Sequence, residues 1–97
     1  MNIGQAVKEL RRRKFPEMKQ YEFAKRIGIT QTYLSQLENG QKQASTEVLQ
    51  KVSDACNIPL AILFWFSIEE TDIVTRKQAA FKMLKPSIDT MINELIP

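Results

Sequence analysis

Histidine is absent from this chain of 97 residues, and Cys56 is its only cysteine. Within one chain these shortages exclude a disulfide framework, a Cys/His zinc site, a Cys-His nucleophile pair and a Ser-His-Asp triad. A phosphate-cradling Gly-rich loop is also missing. The longest apolar run, Ile58 to Phe66, is interrupted by Pro59 and is too short to span a bilayer. The first residues carry no apolar stretch like that of a secretory signal, so a cytoplasmic protein without membrane contact is expected. Cys56 reads as a small core hydrophobe. No metal, no cofactor and no catalytic residue is expected. The densest acidic cluster, Glu69, Glu70 and Asp72, reads as a helix start that suits the helix dipole.

What is present fits one modest core: 43% of the residues are apolar and 26% charged. The net charge of +3 is unevenly placed. Residues 1–28 hold eight Lys and Arg against three Glu, while the middle and C-terminal parts are each slightly acidic. Arg11-Arg12-Arg13-Lys14 reads either as a solvated helix end or as a phosphate-binding patch.

Ile3, Ala6, Val7 and Leu10 fall at helical spacing behind Asn2, a good N-cap, so a first helix is expected to about Lys14 and to end at Phe15-Pro16. Phe23, Ala24 and Ile27 suggest a second helix from about Gln20, closed by Gly28. Thr30 offers the cap of a third, from Gln31 to Glu38, which stops at Asn39-Gly40. Its outer face of amides and hydroxyls, without Lys or Glu pairs, suggests that something meets it. Ser45 caps a fourth helix with Val48, Leu49, Val52 and Cys56 inward, and Pro59 opens a fifth that is apolar all round and needs a second covering surface.

Beyond Ser67, apolar residues recur at Val74, Phe81, Leu84, Ile88, Met91 and Leu95. Pro86 interrupts this pattern, and two helices, the second beginning with Pro86 in its first turn, are favoured over one kinked helix. The tail either packs on the apolar fifth helix of its own chain or forms a dimer or partner interface with Trp65 and Phe66.

Gln20 to Gly40 has the order helix, tight Gly turn, capped helix, Gly stop. In its run of Gln20, Phe23-Ala24, Ile27-Gly28-Ile29-Thr30 and Leu37-Glu38-Asn39-Gly40 it resembles the lambda-repressor-like, Cro-type helix-turn-helix family. The resemblance extends loosely from Ile3 to about Phe64. It implies an all-α fold, a five-helix DNA-binding domain over residues 1–66, with residues 67–97 as a C-terminal extension of one or two helices. The segment Phe15 to Lys19 departs from the family: it is longer than usual, and Lys19 stands where Ser or Thr is common as a cap.

A helix entering the major groove reads bases with side chains near its N-terminus. Gln31, whose amide matches adenine N6 and N7, is therefore the first candidate for base contact, with Thr32, Ser35 and Gln36 completing the set. Gln20, at a helix N-terminus, and Asn39 match phosphate-contacting positions of the family, and Arg11, Tyr33, Lys42 and Gln43 are added as flanking candidates. The resemblance further implies an ion pair between Arg11 and Glu38. Together these readings point to a regulator of transcription, a repressor binding double-stranded DNA as a homodimer on a palindromic operator. The alternative is an antitoxin-like module that binds a protein partner.

Overall fold

Asn2 opens the first helix by accepting a hydrogen bond from the Gln5 N–H at 3.0 Å, and α1 runs Ile3–Lys14. In this computed structural model, which describes residues 1–95 and side chains as far as Glu94, five further α-helices follow: α2 (Gln20–Arg26), α3 (Gln31–Glu38), α4 (Thr46–Cys56), α5 (Leu60–Ser67) and α6 (Gln78–Leu95). No strand occurs among the described residues, so the fold is all-α, five helices followed by a longer C-terminal one.

The caps fall where side-chain chemistry puts them. The Thr30 hydroxyl accepts from the Tyr33 N–H at 3.1 Å and the Ser45 hydroxyl from the Val48 N–H at 3.2 Å. The Lys19 side chain has no acceptor to offer α2. Instead its own N–H is received by the Glu22 carboxylate at 3.1 Å, which ties the atypical cap position down from the helix side. Gly28 and Gly40 end α2 and α3 with positive φ, and Asn57 does the same after α4 with φ 55°.

The core gathers Val7 and Leu10 of α1, Phe23 and Ala24 of α2, Leu34 and Leu37 of α3, Leu49, Val52 and Cys56 of α4, and Leu63 of α5. Burial pushes the Cys56 thiol up to about 11, so it stays protonated and acts as core volume. The α1 helix is the hub, packing against α3, α4 and α5. Its start is joined to the end of α5 by the Asn2 N–H donating to the Ser67 carbonyl at 2.7 Å.

The apolar fifth helix has its second cover. Phe81 meets the Trp65 ring at 6.0 Å between centroids, the Trp65 indole N–H donates to Asp89 at 2.7 Å, and the Lys85 ammonium lies 5.6 Å from the centre of the same ring. Arg13 stacks over Phe66 and donates to the Asn93 side chain, linking α1 to α6. The expected pair of tail helices is corrected here: α6 is a single helix with Pro86 inside it. Side chains on both sides of Pro86, namely Phe81, Lys85, Asp89 and Ile92, hold to the body, while Pro86 itself faces solvent. Tertiary anchoring at both ends outweighs one missing backbone hydrogen bond.

Gly4 lets α1 and α3 touch through their backbones, since a Cβ there would lie 2.1 Å from the Leu37 carbonyl oxygen. Gly4→Ala should therefore cost about 1–3 kcal/mol through forced separation of the two helices. Urea denaturation of the two proteins measures this, and an unchanged midpoint would show that the helices separate freely.

Candidate nucleic-acid interface

The α3 helix presents one face inward through Leu34 and Leu37 and the other to solvent, because its polar residues occupy the remaining positions. Gln31 and Thr32 are exposed in its first turn, with Ser35 and Gln36 half-buried one turn on. All four line one open depression, and the fifth residue lining it is Gln20 from the first turn of α2. The helix order and the Gly28 turn thus bring the starts of α2 and α3 side by side.

Behind this surface lies a buried ion pair. The Arg11 guanidinium donates from Nε to Glu38 Oε2 at 2.7 Å and from Nη2 to Oε1 at 2.9 Å, with the two residues only 7% and 6% exposed. This two-pronged geometry is the arrangement in which a guanidinium and a carboxylate bind best. Glu38 Oε1 also accepts from the Gln20 amide at 3.0 Å, and the Gln20 carbonyl oxygen faces the Gln31 amide at 3.5 Å, the long limit of hydrogen-bond reach. Because Glu38 accepts only, it forces Gln20 to turn its N–H₂ inward and its oxygen toward Gln31. That orientation leaves the Gln31 oxygen and one of its amide protons free to point outward.

The remaining candidates are spread around this centre. Asn39 is exposed beyond the end of α3. Lys42 and Gln43 are exposed too, but they line a separate depression with Asn2, Ile3 and Gly4 at the start of α1. The Tyr33 hydroxyl donates to the Gln43 carbonyl at 3.2 Å and its ring packs on the core, so Tyr33 fastens the α3–α4 loop to the helix. Arg11 is largely committed to Glu38.

Of the basic run, Arg12 is exposed, whereas Arg13 serves the α6 contact. The sequence alone offers no signal for that role, since Asn93 and Phe66 are far away along the chain. The Glu22 bond to Lys19 follows the spacing of an acid three residues after a cap position, a signal that an unusual cap residue such as Lys19 masks.

The structure divides the eight apolar residues considered for an interface. Trp65, Phe66, Phe81 and Ile88 are half-buried within the chain. Val74, Leu84 and Met91 are 57%, 58% and 65% exposed. The side chain of Leu95 lies outside the described ones.

A model of the helix-turn-helix family matches residues 8–63, more than half of the chain, and the chain belongs to that family. It is the class that lays its second motif helix, here α3, in the major groove. Among characterised proteins, the chain is similar to the ImmF control region 10 kDa protein of Bacillus phage phi105, with 38% identity over 61 residues. That match takes in 63% of this chain and 66% of the phage protein, slightly less than two thirds of the relative's length. It is also similar to the control protein C.MunI of a Mycoplasma species, with 36% identity over 64 residues, 66% of this chain and 85% of that protein. No described helix is long and apolar enough to cross a membrane.

Removing either charge of the buried pair strands the other. Arg11→Met and Glu38→Leu should each destabilise the fold by about 3–5 kcal/mol, and the double variant by clearly less than the sum. Denaturant melts of the four proteins form the cycle. Simple additivity would show that the two charges do not depend on one another.

Proposed function

We propose that this protein is a transcriptional regulator that binds double-stranded DNA sequence-specifically, represses, and acts as a homodimer on a palindromic operator. The observation that carries the reading is the braced Gln31: an exposed amide at the N-terminal end of α3, faced by Gln20, which is held in turn by the buried Glu38–Arg11 pair. A side chain held before contact loses less freedom on reading an adenine edge. Thr32, Ser35 and Gln36 complete the base-reading set. Asn39 and the N-terminus of α2 at Gln20 take phosphates, with Lys42, Gln43 and the α3–α4 loop held by Tyr33 further along the backbone. Arg11 acts chiefly from beneath, as the brace.

The control proteins among its relatives support a regulatory role. A homodimer follows from recognition arithmetic, since one helix of this length reads few base pairs and two copies square the discrimination. The antitoxin-like alternative is less supported: the Trp65 and Phe66 surface it would draw on is half-buried in the chain.

Selection from a pool of randomised duplex DNA near physiological salt tests this directly. Enrichment of two inverted half-sites about one helical turn apart is expected; a folded protein that enriches no sequence would refute base reading. On the selected site, Gln31→Ala should remove about 1–3 kcal/mol of preference at one base pair per half-site, while Asn39→Ala weakens all sites alike. Gln20→Ala should do both, because its side chain sits between phosphate position and Gln31.

A further inference from the structure

On α6, Ala80, Leu84, Ser87 and Met91 recur at steps of four, three and four, and all four are exposed. This stripe runs beside the face that carries Phe81, Lys85, Ile88 and Ile92 to the body, so docking of α6 on its own chain leaves it open. Leu84 and Met91 are its large members, Ala80 and Ser87 its small ones. Lys77 stands just before the stripe and Glu94 just after it, both exposed and neither in an ion pair among the described residues.

The pattern is self-complementary in one orientation. If two copies of α6 pack antiparallel about a two-fold axis between Lys85 and Pro86, Met91 of each meets Ala80 of the other and Leu84 meets Ser87. Large then faces small along a seam of about 16 Å, from the rise of a helix. Lys77, which closes the short 3-10 turn Thr75–Lys77 just ahead of α6, comes opposite Glu94 of the second copy at both ends when that register is continued by one residue. A parallel pairing instead opposes Ala80 to Ala80, Met91 to Met91 and like charge to like charge. Nothing but a second copy is required to match this chain in that way, because a two-fold interface must complement itself.

We propose that the antiparallel α6 stripe is the dimer interface of this protein, a reading that rests on the homodimer proposed above. Sedimentation equilibrium of the full chain, with and without the selected operator, tests it. Leu84→Glu and Met91→Glu should each raise the dimer Kd at least about tenfold. Ala79→Glu, roughly 110° round the helix from the stripe, should leave it unchanged. Lys77→Glu should weaken the dimer about two- to fivefold, and adding Glu94→Lys should restore it. The far-ultraviolet circular dichroism and Trp65 fluorescence of each variant report whether α6 stays folded and docked. A wild-type dimer indifferent to Leu84→Glu and Met91→Glu overturns this interface and leaves the homodimer standing. A wild-type chain monomeric both free and on DNA overturns both.

Discussion

The pair formed by Arg11 and Glu38 is the constraint on which the proposed recognition surface depends. Each charge would be costly in its place alone, and together they satisfy one another through two hydrogen bonds in a fixed plane. Since Arg11 belongs to α1 and Glu38 to α3, the pair sets where α3 lies against the hub of the fold. Gln20 draws α2 into the same arrangement by donating to the third acceptor direction of Glu38. Three helices are thus keyed by polar contacts of strict geometry, where apolar packing alone would tolerate sliding. Gly4 serves the same end from the backbone, allowing α1 and α3 to approach closely enough for the pair to close.

At the other end of the molecule the attachment of α6 has a different character. It rests on a few amphipathic side chains: Trp65 with an acceptor at Asp89 and a cation at Lys85, and Arg13 reaching Phe66 and Asn93. Such contacts hold position with modest energy, because each charged partner remains partly in water. They also explain how an all-apolar α5 is accommodated in one chain. Its inner side meets the core through Leu63, and its outer side is covered by a helix that brings both apolar surface and polar partners.

The two halves of the chain were unequally legible. From Ile3 to Phe66 every helix was signalled locally, by caps at Asn2, Thr30 and Ser45, by stops at Gly28 and Gly40, and by apolar residues at helical spacing. Beyond Ser67 the local signal was misleading. Pro86 argues for a break, yet the contacts that decide the matter come from Trp65 and the rest of the body, distant in sequence. Two short 3-10 turns, Glu70–Asp72 and Thr75–Lys77, carry the chain between the halves, the first of them starting within the acidic cluster.

For the site, the residue types of α3 were enough to nominate Gln31, Thr32, Ser35 and Gln36, because the cap at Thr30 fixes where the helix starts and the spacing of Leu34 and Leu37 fixes which side turns inward. Identity and spacing by themselves therefore determined the first five helices, their turn chemistry and the polar outer face of α3. The tertiary structure alone decided which of those groups meet: that Gln20 turns its oxygen toward Gln31, that Tyr33 is spent on the Gln43 carbonyl, that Arg13 leaves the basic run for α6, and that Leu84 and Met91 stay outside. Local order follows from interactions within a turn or two of helix. The choice of partner for a side chain is made across the packed interior, where neighbours distant in sequence fix both position and hydrogen-bond direction.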